Sequence, residues 1–230
     1  MNAHIAIPSD GDGRSAPFTL APPAVAPTSA ALWRMFDIVV AAGILIVALP
    51  FLMILAAVMY LSDPGPLFFV HRRLGFRGQF FGCMKFRSMK VNGDQILREH
   101  LAKSPEARRE WEETHKLKDD PRVTAIGAIV RKLSLDEFPQ LINVLRGEMS
   151  IVGPRPIVEA EVARYGRFFE HYCAVKPGLT GLWQISGRNE TTYRERIELD
   201  VSYVSRKSLA LDTWLLIKTV QAVLFALGSY

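Results

Sequence analysis

The longest apolar run in the chain extends from Ile38 to Leu61, 24 consecutive residues without a charge. That is enough for a helix to cross a hydrocarbon layer of about 30 Å. Pro50 divides it into arms of 12 and 11 residues, each rising only about 16 to 18 Å as helix. Two courses fit this pattern. One is a kinked transmembrane helix; the other is a re-entrant helix-break-helix that enters and leaves by one face, its freed backbone groups finding new partners. Ahead of it, residues 1–30 are rich in Pro, Ala, Ser, Gly and Thr without periodicity, which predicts a disordered tail. The chain thus divides into a tail at 1–30, a membrane-embedded segment at 31–62 and one globular unit at 63–230.

Beyond the run, Asp63-Pro-Gly-Pro66 is a turn, and Leu67 to Val70 and Gln79 to Phe86 alternate as short strands around Gly75 and Gly78. Asp94 to Lys116 is a highly charged helical stretch ended by Asp120-Pro121. Val123, Ile126, Ile129, Val130 and Leu133 repeat at helical spacing, and a second helix is predicted over Leu135 to Leu145. Leu209 to Leu227 is apolar but interrupted by Asp212 and Lys218. This predicts an amphipathic helix lying on the membrane surface or on the core rather than a span. The fold class that emerges is mainly α with a few short β-strands.

Charge adds direction to this picture. Residues 1–37 hold three aspartates and two arginines, so the remainder carries +6 of the net +5. Anionic partners fit this balance: acidic lipid, a phosphorylated substrate or nucleic acid. Arg34 precedes the apolar run and His71, Arg72, Arg73 and Arg77 follow it, which puts the residues after Leu61 on the cytoplasmic side under either course. Cys83 and Cys173 are far apart and outside any metal-binding spacing, consistent with reduced thiols in a cytosolic unit.

Candidate chemistry concentrates in Arg131 to Pro156. Leu135, Phe138, Leu141, Ile142 and Leu145 form an apolar stripe that leaves Asp136 and Glu137 at the helix start, where free amide donors favour a carboxylate or a phosphate. Two readings of the acids compete. Ser134-x-x-Glu137 matches a capping box, and Asp136 is itself a possible cap with Pro139 in the first turn. Alternatively the acids are reactive, because phosphate-type donors surround them: Arg131 and Lys132 before, Arg146 after, and Arg155 held between Pro154 and Pro156. Lys85 and Arg87, two apart at the end of a predicted strand, share a face by alternation.

A third cluster runs from Lys176 to Asn189, including Gly178, Thr180, Gly181, Trp183, Gln184, Gly187 and Arg188. Its glycines allow backbone amides to approach an anion and its tryptophan can stack on a base or sugar; plain loop architecture accounts for the same residues. Asp200 and Tyr203 lie one helical turn apart and fit supporting ion-pair positions.

Taken in order, these strings resemble the bacterial sugar transferase family, the small monotopic phosphoglycosyl transferases that start glycan assembly on polyprenyl phosphate. The matching runs are Gly65-Pro-Leu-Phe-Phe69, Lys85-Phe-Arg-Ser-Met89, Asp120-Pro-Arg122, Ser134-Leu-Asp-Glu137, Asn143-Val-Leu-Arg-Gly-Glu-Met-Ser150, Val152-Gly-Pro-Arg-Pro156, Lys176-Pro-Gly-Leu-Thr-Gly181, Ser186-Gly-Arg188 and Leu199-Asp200. The chain is similar to the shorter, exopolysaccharide-initiating type. It departs from the family in one respect: Leu49 stands before the break proline, where a serine is common.

The resemblance implies a re-entrant anchor at Pro50 in the bacterial inner membrane and a catalytic domain at 63–230 on its cytoplasmic face. It implies transfer of a sugar 1-phosphate from a UDP-sugar to undecaprenyl (polyprenyl) phosphate, with release of UMP. Asp136 would attack the donor phosphate to form an aspartyl phosphosugar, and Glu137 would tune the site or move a proton. Mg2+ at Asp136, with Arg131, Arg155, Lys85 and Arg87 on phosphate oxygens, would neutralise the donor. Membrane lipids are expected partners, and the carboxylate cluster disfavours nucleic acid. Two other classes stay open: a membrane-anchored metal-dependent phosphohydrolase and a non-catalytic basic membrane adaptor. No feature of the sequence sets an oligomeric state.

Overall fold

The computed structural model describes residues 27–114, 117–186 and 191–224; the expectation of a disordered tail therefore falls almost wholly outside the described residues. In chain order the elements are α1 Pro27–Ser62, β1 Phe68–Leu74, β2 Phe80–Phe86, α2 Gly93–Lys103, α3 Pro105–Thr114, α4 Ala125–Lys132, α5 Gln140–Arg146, β3 Ser150–Val152, α6 Val162–Tyr165, α7 Phe169–Cys173, β4 Gly178–Thr180, α8 Leu182–Ile185, α9 Tyr193–Arg206 and α10 Leu209–Leu224. The fold is mainly helical with a few short strands, as the pattern predicts.

α1 begins at Pro27, within the stretch expected to be tail, because proline suits the first helical position. Its 36 residues, about 54 Å as straight helix, run through Pro50 as one element. A continuous element with an interior proline accords with either expected course, a kinked span or a bend that returns to one face. A proline in a helix interior removes one backbone bond and bends the helix without having to end it. Ala41, Leu52 and Met59 are buried, whereas Val47 and Leu61 are 82% and 79% exposed. α1 is long and apolar enough to cross a membrane, and only 11% of its most apolar stretch is buried.

The first turns of α1 are bonded to the globular part. Trp33 Nε1 donates to Asp212 Oδ2 at 2.8 Å. Arg34 donates to the Val144 and Leu145 carbonyls at the C-terminal turn of α5, both at 2.6 Å. Asp37 Oδ1 accepts from Ser150 Oγ at 2.8 Å and Ile151 N at 2.9 Å. Ala41 consequently joins Leu141, Val144, Ile151, Tyr203 and Leu215 in the main core.

β1 and β2 form an antiparallel hairpin with Phe69 opposite Lys85, His71 opposite Cys83 and Arg73 opposite Phe81. Opposed residues share a face and alternate residues repeat it, so Arg73, Cys83 and Lys85 point the same way. The charged stretch after the hairpin is two helices, α2 and α3, separated at Ser104 where Pro105 opens the second. Thr124 caps α4 by accepting from Gly127 N at 2.9 Å. β3 and β4 pair in parallel, Ser150 with Gly178 and Val152 with Thr180; three-residue strands give too little alternation for the sequence pattern to reveal them.

The helix expected over Leu135 to Leu145 is shorter. Leu135–Glu137 is a single 3₁₀ turn, Pro139 is the N-cap residue of α5, and Ser134 lies in the left-handed region at φ 56°. Neither the Ser134 capping box nor an Asp136 cap forms. α10 packs Asp212 and Leu215 inward and exposes Trp214, Ile217 and Val220, so it lies on the core and presents an apolar outer face.

Candidate active site

Three cations converge on the acid pair. Lys85 Nζ lies 2.7 Å from Glu137 Oε1 and 3.5 Å from Asp136 Oδ2, and Arg155 approaches Glu137 at 3.7 Å. Arg131, on the last turn of α4, donates through Nε to Ser88 Oγ at 2.7 Å and its charge acts on Asp136. The two carboxyls differ. Burial raises Asp136 above its ordinary range, against the pull of Lys85 and with the repulsion of Glu137. Burial also works against ionised Glu137, but Arg155, Lys85 and Arg73 outweigh it and hold that carboxyl low. Separated pKa values on neighbouring acids are a mark of reactive sites.

Local structure explains the placement. Asn143, fully buried on α5, accepts from Met84 N at 2.9 Å and donates to the Gly82 carbonyl at 2.7 Å. It therefore clamps β2, which carries Lys85, to the helix that follows the acids. Beside them is an open cleft lined by Arg73, Cys83, Lys85, Glu137, Gln140, Arg155, Pro156, Gly178, Leu179 and Gln184.

Not every predicted residue meets there. Arg87 turns away to the Asp63 backbone carbonyl and its carboxylate, because β2 ends at Phe86 and the alternation linking Arg87 to Lys85 ends with it. Gly178 lines the cleft, but a Cβ on it would overlap the backbone of Gly153, and one on Gly181 would meet the Gly153 carbonyl. These glycines permit the β3–β4 crossing that holds the Arg155 loop. Thr180 Oγ1 shares a 2.6 Å hydrogen bond with Thr219. Lys176 sits beside Arg34 and Gly147, its pKa lowered by burial and by Arg34. One Trp183 face is covered by the Arg196 guanidinium at 4.8 Å. Gln184 reaches the cleft. Gly187 and Arg188 lie outside the described residues.

Asp200 and Tyr203 hold the scaffold. Buried Asp200 accepts from Tyr165 OH at 2.7 Å; burial pushes its carboxyl up to about 7, against that bond. Tyr203 OH lies 2.9 Å from the Val152 carbonyl and 2.8 Å from Asp212 Oδ1.

Known proteins supply the family. The model for the bacterial sugar transferases matches residues 28–226.

The chain belongs to the bacterial sugar transferase family.

Among its relatives is the exopolysaccharide production protein ExoY of Sinorhizobium fredii, 48% identical over 207 residues, covering 90% of this chain and 92% of the relative. The undecaprenyl-phosphate galactose phosphotransferase of Salmonella typhimurium is 50% identical over 199 residues, 86% of this chain but 42% of that protein. The UDP-glucose:undecaprenyl-phosphate glucose-1-phosphate transferase of Escherichia coli is 40% identical over 198 residues, 82% and 39% of the two chains.

Two features of this sugar transferase's site were not identified from sequence. Arg73 reads there only as one of the cations flanking the apolar run; the β1–β2 register that puts it on the Lys85 face is the signal that would have found it. Gln140 and Asn143 look like ordinary polar positions on a helix. As for a metal, no group of three or more His, Cys, Asp or Glu side chains able to hold one occurs among the described residues. The chain offers carboxylate oxygens from Asp136, with Glu137 adjacent. Such a donor set fits an ion carried mainly by water and substrate phosphates, as magnesium commonly is.

Proposed function

We propose that this chain transfers a sugar 1-phosphate from a UDP-sugar to undecaprenyl phosphate, releasing UMP, and so initiates assembly of an exopolysaccharide or related glycan. The observation that carries the reading is the acid pair itself. Two unequal, uncapped carboxyls are faced by Lys85, Arg155 and Arg131, and Glu137 lines the cleft beside them. The names of the relatives give the substrate class.

In the first half-reaction an Asp136 carboxylate oxygen bonds to the sugar-linked phosphorus and the phosphoanhydride bond breaks, UMP leaving with the electron pair. In the second, an oxygen of the lipid phosphate attacks that phosphorus and the Asp136 carboxylate is regenerated. Lys85 and Arg155 lower the repulsion between carboxylate and diphosphate. Glu137, held ionised by the same cations, serves in this reading as the base that takes a proton from the lipid phosphate. Magnesium held by Asp136 would supply further neutralisation of the donor diphosphate.

The chain works at a membrane, with α1 embedded. Trp33, Arg34 and Asp37 near one end of α1 bond to the globular part, and Asp63 just after the other end bonds to Arg87. Both ends meeting one body support a one-sided, re-entrant course with Pro50 at the bend, the globular part on the cytoplasmic face of the inner membrane.

The test is to incubate purified protein with magnesium and a panel of UDP-sugars, with and without undecaprenyl phosphate, and follow UMP and sugar phosphate. Lipid-linked product that requires both acceptor and Asp136 is expected. Free sugar phosphate formed without lipid would instead make the chain a phosphohydrolase. Lipid binding with no turnover of any donor would make it an adaptor.

A further inference from the structure

The cleft beside Glu137 holds a guanidinium that the proposed chemistry has not yet used. Arg73 ends its face of β1 with its side chain 19% exposed, and its nearest carboxylate, Glu161, is 3.8 Å away. Its hydrogen bond to the Pro156 carbonyl is long, 3.3 Å. Arg155 lines the same cleft and also lacks a close acid, reaching Glu137 only at 3.7 Å. Glu137 instead gives its short contact, 2.7 Å, to Lys85, and Glu161 is shared with Arg196 at 3.8 Å. Two arginines therefore share one half-buried cleft with only long ion pairs between them. Burial and the Arg155 charge both press on the ionised form of Arg73. A guanidinium has five donors, and an anion bridging two such groups relieves their repulsion while accepting in the forked geometry they favour.

Position narrows the anion. Lys85 bridges the two acids, 3.5 Å from Asp136 and 2.7 Å from Glu137, whereas Arg155 reaches Glu137 and, with Arg73, lines the cleft on the Glu137 side. In a displacement at phosphorus the nucleophile and the leaving group stand on opposite sides of the reacting atom. We propose that Arg73 and Arg155 bind the nucleoside-side phosphate of the donor, the one that departs as UMP. This rests on the nucleotide-sugar reading above and assigns within it a residue and a phosphate. As the phosphoanhydride bond breaks, charge grows on the bridging oxygen that leaves with UMP, and the two guanidinium groups offset it.

UMP itself is the probe. Full-length protein in detergent or nanodiscs is titrated calorimetrically with UMP and with uridine, for the natural chain and for Arg73→Met, Arg73→Lys and Glu161→Gln, each checked for an unchanged melting temperature. Arg73→Met should weaken UMP binding by ~10- to 100-fold, the scale of hydrogen bonds to a charged group, and leave any uridine binding unaltered. Arg73→Lys keeps the charge without the fork and should fall between; it carries the test if the methionine variant does not fold. Glu161→Gln should leave UMP binding equal or tighter. Unchanged UMP affinity in the Arg73 variants would overturn the assignment while leaving the donor class intact. An equal loss in Glu161→Gln would make Arg73 a structural partner of Glu161 and overturn it as well. Natural protein that ignores UMP altogether would remove the uridine-nucleotide reading along with the assignment.

Discussion

Two polar clusters lie under this surface, and they are built differently. At the junction of α1, α9 and α10, Asp212 is 1% exposed and takes short bonds from Trp33 at 2.8 Å and Lys207 at 3.1 Å, with the Tyr203 hydroxyl 2.8 Å away. Asp37 nearby is equally well served by Ser150 and Ile151. At the acid pair one contact is short, Lys85 to Glu137 at 2.7 Å, and the others stretch to 3.5 and 3.7 Å. A buried polar group is costly unless its bonds are made. The first cluster meets that demand within the protein and acts as a lock. The second leaves it partly unmet, as the proposed binding of substrate phosphates requires. Short, saturated bonds mark structure, and long, crowded ion pairs in a cleft mark chemistry.

The largest expected effect separates the clusters outright. Asp136→Asn should cut transfer by at least about a thousandfold, about 4 kcal/mol in the barrier, with melting temperature held or raised, since a buried carboxyl that resists ionisation is gone. Asp212→Ala should do the reverse. Removing the buried carboxylate that Trp33, Tyr203 and half-buried Lys207 share is expected to cost about 3–5 kcal/mol of stability, read by denaturant titration, while the protein that remains folded keeps its turnover.

Glu137→Gln sharpens the comparison through pH. Burial raises Asp136, Lys85 opposes this, and the Glu137 charge adds to the rise. With Asp136 as the proposed nucleophile, transfer requires its ionised form, so kcat/KM should fall as pH drops through a value above the usual carboxylate range. Removing the Glu137 charge takes away a raising influence and frees Lys85 for Asp136. The acid limb of the profile should therefore move to lower pH. The smallest effect is expected at Thr180→Val, which loses the bond to Thr219 for about 0.5–1.5 kcal/mol of stability and leaves kcat/KM unaltered.

What the sequence disclosed follows from how local each signal is. The apolar run, the hairpin and the α4 stripe are local patterns, and they reappear as α1, β1–β2 and α4. Asp136 and Glu137 stand out in sequence because phosphate-type donors flank them, and Arg155 because two prolines hold it, whereas the meeting of Lys85 with the acids depends on the packing of β2 on α5. The capping-box reading failed because Ser134 adopts a left-handed backbone, which a four-residue motif does not reveal. Lys176, Thr180 and Gly181 carried the composition of an anion loop, yet their contacts are with the β3–β4 crossing, α1 and α10. The bonds of Trp33, Arg34 and Asp37 to the globular part gave no signal, since their partners lie more than a hundred residues away. Arg73 needed the strand register.

The central claim is that Asp136 is the group that receives the sugar phosphate. Protein incubated with magnesium and a UDP-sugar that it turns over, without acceptor lipid, then quenched and digested, should yield an Asp136 peptide heavier by one phosphosugar. That adduct should disappear on adding undecaprenyl phosphate and be absent from Asp136→Asn. An unmodified peptide, together with normal turnover in Asp136→Asn, would contradict the account.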